Sequence, residues 1–385
     1  MERAVALSRA HLGRTSPNPV VGCVLLDAHG TILGEGGHRG AGHPHAEVEA
    51  LRAAGARAYG ATAVVTLEPC THTGRTGPCT GALLAAGVAR VLYAVPDPTP
   101  RAGGGAALLR AAGVQVVGDV HREAAELANE LWLTSVRRER PCVTWKFGGT
   151  LDGRSAAADG SSRWITGSEA RADAHRLRAE HDAVLVGAGT LRTDDPHLGL
   201  RHGVVGKPPL RIVLSRDGVL RPDARVLDDA APTLVVTAKD AVAPQLPHGH
   251  ETLALPYDTE GLDLNALSRE LYRRGLRSVL LEGGAALAAG FARRGMLDRA
   301  VCYLAPSFLG ASGRPVLDDF GADRLADGLR FEFGEVDRLG GDLRCVLRTR
   351  TAADVRPDPL PDSGRRPVPG PGQQTPAPVT TTEAV

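Results

Sequence analysis

The chain has 385 residues, long for one domain and ordinary for two, and its 43% apolar content is enough to fill real cores. Lys+Arg 45 against Asp+Glu 44 leaves a net charge of +1, so no global field favours nucleic acid or an anionic membrane, and anion selectivity must be local. No uncharged apolar stretch approaches the ~20 residues a bilayer span needs, Met1-Glu2-Arg3-Ala4-Val5 lacks a signal-peptide layout, and six sparse cysteines suit a reducing cytosol, hence a cytoplasmic protein.

The first ~12 residues read as a helix stopping at Gly13, and Pro17-Asn18-Pro19 as a turn. Val20 to Leu26 is an apolar run typical of a buried strand. Helical spacing covers Ala46 to Ala56, Ala63 to Leu67 is another buried strand, and a helix with proline at its opening turn covers Pro78 to Ala86. Strands at Val91–Val95 and Val114–Val117 continue the alternation, which predicts a layered α/β domain with a mainly parallel sheet. A longer helix, about Arg122 to Arg138, ends in a charged cluster before Pro141, the expected boundary. The domains are therefore drawn at 1–140 and 141–350.

His45-Ala46-Glu47 opens a predicted helix, and Pro69-Cys70 and Pro78-Cys79 follow. Imidazole and thiolate bind zinc well, and a catalytic zinc keeps three protein ligands and one open position for water. Glu47, two residues from His45, is placed to carry a proton from that water to a departing amine, the arrangement of zinc deaminases. The alternative is a closed zinc knuckle with His43 or His72 as fourth ligand, which would leave Glu47 without a use. His38 and His43 otherwise read as solvated loop histidines. The loop from Cys70 to Cys79 is longer than the usual two-residue spacing.

The second half opens with a strand, Cys142 to Phe147, and later strands are expected at Ala183–Val186, Leu210–Leu214, Thr233–Val236 and Ser278–Leu281. Lys146, in the first of them, is one of only three lysines, beside Lys207 and Lys239, in a chain that otherwise chooses arginine. That choice suggests a need for a compact ammonium. Glu282-Gly283-Gly284 ends a strand and opens a helix, where backbone N–H groups favour a phosphate. No G-x-G-x-x-G follows the first strand, so a Rossmann fingerprint is not supported. Residues 351–385 are rich in Pro, Gly, Thr and Ser and read as a disordered tail.

Glu68-Pro69-Cys70, His72, Gly74-Arg75-Thr76 and Pro78-Cys79, with Pro17 to Gly22 and His43 to Val48, resemble the riboflavin-pathway deaminases. Lys146 to Arg154, Ser161 to Gly167, Val186 to Pro196 and Leu281 to Leu287 resemble the reductase domain of the bifunctional riboflavin-biosynthesis deaminase/reductases. The resemblance implies a cytidine-deaminase-like α/β/α domain followed by a dihydrofolate-reductase-like α/β domain. It implies zinc on His45, Cys70 and Cys79, with Glu47 catalytic and Asn18 on the pyrimidine. For NADPH it implies Gly148, Trp164, Thr190, Asp194, Ser215 and the run Gly284, Ala285, Ala286, Leu287, Ala288, Ala289, Gly290. For the reductase substrate it implies Lys146, Ser162, Arg178, Leu198, Arg201 and Glu282. It also implies phosphorylated pyrimidines as substrates, with Arg75 or Arg201 as local partners for the phosphate. The expected chain is a homo-oligomer, dimer or tetramer, with no nucleic-acid or membrane partner. Competing readings are a cytidine or tRNA-adenosine deaminase with an unrelated appendage, and a non-catalytic zinc- and nucleotide-binding regulator.

Overall fold

The computed structural model describes residues 1–72 and 77–349; the expectations for Arg75 and for the tail at 351–385 lie outside them. The first half runs α1 (Glu2–Arg9), β1 (Gly22–Leu26), β2 (Ile32–Gly37), α2 (Ala46–Ala54), β3 (Thr62–Leu67), α3 (Cys79–Ala85), β4 (Arg90–Val95), α4 (Gly105–Ala111), β5 (Gln115–Val117), α5 (Arg122–Ala128) and α6 (Glu130–Arg138). Its sheet has the order β2-β1-β3-β4-β5. β3, β4 and β5 are parallel, but β1 is antiparallel to both of its neighbours, so the sheet is mixed rather than mainly parallel.

The strand absent from the sequence-based expectation is β2, and its glycines explain why. A Cβ on Gly34 would stand 2.3 Å from the Ala50 carbonyl oxygen, and one on Gly36 would stand 2.2 Å from that of Ala46. Helix α2 therefore lies directly on this strand, and only glycine lets the two backbones come so close. The close approach seats the start of α2, where His45 and Glu47 sit. Around it, Cys23, Leu25, Val65, Leu83, Val91 and Leu109 form a fully buried core. Each such leucine contributes about 1.5–3 kcal/mol.

The single helix expected from Arg122 to Arg138 breaks at Asn129, which takes φ −113° and ψ 19°. Its side chain serves elsewhere: Oδ1 accepts from the Val20 N–H at 3.2 Å. After the break, α6 carries Trp132 back to the proline turn, where its indole N–H donates to the Pro17 carbonyl at 3.0 Å.

The second half runs β6 (Cys142–Thr150), β7 (Arg154–Ala156), α7 (Ser168–Glu180), β8 (Ala183–Gly187), α8 (Ala188–Asp194), β9 (Leu210–Leu214), β10 (Thr233–Ala238), β11 (Glu251–Leu255), β12 (Tyr257–Asp258), β13 (Gly261–Leu262) and α9 (Leu264–Arg273). It continues with β14 (Ser278–Leu281), α10 (Ala285–Arg293), β15 (Arg299–Ala305), β16 (Arg314–Pro315), β17 (Phe331–Leu339) and β18 (Asp342–Thr349). A nine-stranded sheet has the order β11-β10-β9-β8-β14-β6-β15-β18-β17. The strands from β11 to β15 are parallel, and β18 joins antiparallel to β15. Alternate residues feed two cores: Ala183 and Leu185 face one side, Val184 and Val186 the other. Burial on both faces is why these strands read as continuous apolar runs.

Two aspartates tie the halves together. Asp298 accepts from Arg138, from both terminal nitrogens of Arg140 at 2.7 Å, and from the Val143 N–H at 2.8 Å. Asp182 Oδ2 accepts from Ser16 Oγ at 2.8 Å and from the backbone of Arg277 and Ser278 at 2.7 and 2.9 Å. Among the described residues, no helix is long and apolar enough to cross a membrane.

Candidate active sites

His45 is the residue before α2, and its ring reaches back to two thiols. Its Nδ1 lies 3.0 Å from Cys79 Sγ and 3.6 Å from Cys70 Sγ, and the three donor atoms lie within 4.8 Å of one another. Zinc held at ordinary bond lengths in tetrahedral geometry sets such atoms roughly 3.5–3.8 Å apart, so this donor set fits the ion with little adjustment. Hydrogen bonding with Cys79, then with His45, pulls the Cys70 thiol well below its usual range, toward the thiolate a metal requires. Among the described residues only these three side chains form such a group. His43 is exposed and His72 stands outside the set, which leaves a fourth position open and disfavours the closed knuckle.

His45 and Cys70 of this set line a cavity of about 540 Å³. Glu47 enters it from the first turn of α2, buried, and that burial pushes its carboxyl up. Asn18 enters from the proline turn, with Nδ2 donating to His38 Nε2 at 3.1 Å. His38 in turn meets the Pro44 carbonyl through Nδ1 at 3.1 Å. His38 is 3% exposed, so the expectation of a solvated loop histidine is corrected: it orients Asn18 from inside the wall and is no metal ligand. Glu68 braces the wall by accepting from the N–H groups of Asp97 and Ala106 at 3.1 and 2.8 Å. Sequence reasoning also missed Trp132, Tyr272 and Arg277, which reach the cavity from α6 and from beyond Pro141. No local motif marks them, because only the tertiary fold brings them there.

In the second half the sheet register assembles a different cluster. Trp145 pairs with Leu281, which pairs with Leu185, and Gly187 pairs with Leu214. Glu282 and Ser215 thus follow the carboxyl ends of β14 and β9, and Thr190 stands in α8 just beyond β8, while Lys146 lies within β6 level with the end of β14; this side of a parallel sheet is where α/β folds bind ligands. Glu282 accepts from Lys146 Nζ at 3.3 Å and from Arg178 Nε and Nη2 at 2.6 and 3.0 Å. Burial alone would raise the Glu282 carboxyl, yet the charges of Arg178 and then Lys146 hold it well below the usual range. Arg178 also donates to the Gly199 carbonyl at 3.0 Å, which ties in the loop carrying buried Leu198 and exposed Arg201.

The cofactor candidates gather along the same sheet end. A Cβ on Gly284 would lie 3.7 Å from Thr190 Oγ1, and one on Gly148 would lie 3.4 Å from Thr166 Cγ2. Arg163 reaches the Asp194 carbonyl at 3.4 Å, which joins the Ser162–Trp164 segment to the end of α8. Trp164 is 70% exposed, with the Arg171 guanidinium 4.3 Å above its ring. Helix α10 begins after Gly284 with no side-chain cap and no acid in its first turn, so its N–H groups suit a cofactor phosphate. Ala288, Ala289 and Gly290 are buried, which leaves Gly284, Ala285, Ala286 and Leu287 as the accessible part of that run. Ser215 is fully buried and its hydroxyl donates to Asp217 at 2.9 Å, within its own turn.

Residues 141–344 match the RibD C-terminal domain, and residues 1–95 match the cytidine and deoxycytidylate deaminase zinc-binding region. The riboflavin biosynthesis protein RibD of Mycobacterium tuberculosis is 44% identical over 343 residues, 88% of this chain and 93% of that protein. Its counterpart in Escherichia coli is 38% identical over 89% of this chain and 96% of its own length. Among solved structures, Acinetobacter baumannii RibD superposes with a TM-score of 0.81 at 37% identity, covering 91% of this chain and 98% of that one. A Thermotoga maritima diaminohydroxyphosphoribosylaminopyrimidine deaminase/5-amino-6-(5-phosphoribosylamino)uracil reductase also gives 0.81, at 34% identity and 91% and 97% coverage. These matches span both halves, so the second is no unrelated appendage.

Proposed function

Because the chain belongs to the RibD family of bifunctional deaminase/reductases of riboflavin biosynthesis, we propose that its two clusters are the two active sites of that activity, the chemical groups of the first carried by the domain at 1–140 and those of the second by the domain at 141–350. The first substrate is 2,5-diamino-6-ribosylamino-4(3H)-pyrimidinone 5′-phosphate, whose ring amine is replaced by oxygen with release of ammonia. The second is 5-amino-6-(5-phosphoribosylamino)uracil, whose ribosyl group is reduced to the ribityl form. The observation that carries the reading is the His45, Cys70 and Cys79 donor set opening, through His45 and Cys70, onto the cavity that also holds the buried Glu47.

His45, Cys70 and Cys79 would hold the zinc, which when bound supplies an acidified water at neutral pH. With the metal in place, the Glu47 carboxylate would carry a proton between water and the leaving amine; its raised affinity for protons suits a group that must both accept and donate. Asn18, fixed by His38, orients the pyrimidine.

In the second site Gly148, Trp164, Thr190, Asp194 and the start of α10 would hold NADPH, which when bound supplies hydride. Lys146 and Arg178, both anchored on Glu282, present cations to the opened ribose and its phosphate, with Ser162, Leu198 and Arg201 around them. Ser215 supports this site through its turn. We further read the protein as a cytoplasmic homo-oligomer. The test is direct: purified chain is given the first substrate and ammonia is measured, then NADPH is added and its oxidation followed. Absence of either half-reaction overturns the assignment of that site.

A further inference from the structure

The cavity that holds His45 and Glu47 is not built by the first half alone, since Tyr272 and Arg277, from α9 and the turn after it, form part of its wall. Gly275 makes that turn, at φ +86°, and a Cβ there would lie 3.6 Å from Pro17. The turn is therefore seated against the segment that carries Asn18. Arg277 is held rigidly within it: its N–H donates to Asp182 at 2.7 Å, Nη1 donates to the Tyr272 carbonyl at 3.0 Å, and Cζ lies 4.1 Å from the centre of the Tyr272 ring.

What the Arg277 guanidinium lacks is a directly paired anion: Asp182, which accepts from the Arg277 backbone N–H, acts on the side chain without forming an ion pair with it. Among the described residues no carboxylate forms an ion pair with its guanidinium, and its Nε is buried without a partner. Asp182 is occupied by Ser16 and by two backbone N–H groups instead. A half-buried, immobilised and unpaired guanidinium at a cavity wall is costly to maintain unless an anion completes it. Loss of water around it lowers its pKa, against the opposing pull of Tyr272 and Asp182.

We propose that Arg277, contributed by the reductase half, binds the phosphate of the deaminase substrate. This rests on the reading of the first cavity as a deaminase site for a phosphorylated pyrimidine. Arg101 also lines the cavity, but it is exposed and without the anchoring that spares Arg277 the entropy of being fixed on binding. The deaminase site is thus composite, chemistry from one half and an anion clamp from the other.

The experiment compares the full chain with its Arg277→Gln and Arg277→Lys variants, each loaded with zinc. Deamination is measured on the phosphorylated pyrimidine and on the same compound without phosphate, with ribose 5-phosphate as competing inhibitor. The preference in kcat/KM for the phosphorylated substrate should fall about 10- to 100-fold in Arg277→Gln, mostly through KM, with a parallel loss of inhibition, and fall less in Arg277→Lys. An unchanged preference, an equal loss on both substrates, or transfer of the whole effect to Arg101→Gln overturns the proposal. Reduction in the same preparations reports that the second half is folded; if Arg277→Gln loses it, Arg277→Lys carries the test. Failure of the unmodified chain to deaminate either compound removes the deaminase reading itself, and the proposal with it.

Discussion

Lys146 Nζ stands 3.3 Å from the Glu282 carboxylate, which Arg178 already grips through two nitrogens. A second guanidinium in place of the lysine would bring a broad planar fork to a carboxylate with little room left. Lys146→Arg should therefore lower reductase turnover by roughly 10- to 100-fold through misplacement of the substrate. NADPH binding and deamination should persist. Near-normal reduction by this variant would show that the ammonium is a replaceable charge.

Glu47→Gln keeps the shape of the side chain and removes its ability to move a proton. Ammonia release should fall by about 10²- to 10⁴-fold. Metal analysis should still find one zinc per chain, because Glu47 is not in the donor set. Reduction of supplied deaminated intermediate should continue in the same variant. Loss of zinc would mean that Glu47 holds the metal rather than the proton.

Gly36→Ala places a methyl where the Ala46 carbonyl oxygen stands, 2.2 Å away. Helix α2 would have to lift from the sheet, at a cost of about 1–3 kcal/mol or more. Because the donor His45 directly precedes Ala46, the same shift should weaken zinc retention. Thermal unfolding and metal content, measured together, should fall together; a drop in stability with zinc affinity unchanged would separate strand packing from the metal site.

His181 is buried between the Leu177 carbonyl and Thr144 Oγ1, at 2.7 and 2.9 Å, and burial depresses it from an ordinary 6.5 to about 4. An unfolded chain takes up the proton as pH falls below 6.5, while the folded chain resists until about 4. Its contribution to stability is thus complete above 6.5 and is lost progressively down to about 4. Denaturant midpoints measured from pH 7.5 to 4.5 should decline across that window, and His181→Gln should flatten the decline. An equally steep profile in the variant would assign the proton uptake to other groups.

The chemistry was more legible in the sequence than the packing. His45, Glu47, Cys70 and Cys79 announce themselves because metal ligation demands particular side chains at short spacings, and the fold merely closes the loop between them. Lys146 stood out through residue choice, and Glu282 through its position at a strand end. Strand β2 did not, because Gly34 and Gly36 were selected for contact with a helix rather than for strand propensity. The break at Asn129 was hidden because its cause, the Val20 N–H, lies 109 residues away in the sequence. Arg277 was illegible for a related reason: its neighbours in space are a tyrosine ring and the proline turn of the first half, neither of which leaves a local pattern.

Asp298 bears on how such a chain could ever be divided. Severed between Arg140 and Pro141, one piece would keep Arg138 and Arg140 without their acceptor. The other would keep a carboxylate, 3% exposed, satisfied only by the Val143 N–H. Stranding a buried charge in this way costs about 3–5 kcal/mol, comparable to the whole stability margin of many domains. A gene split at this point would yield two polypeptides under pressure either to re-associate through the same arginines or to replace Asp298 with a neutral residue. The joint therefore acts as a ratchet on fusion: once made, it penalises the return to separate proteins.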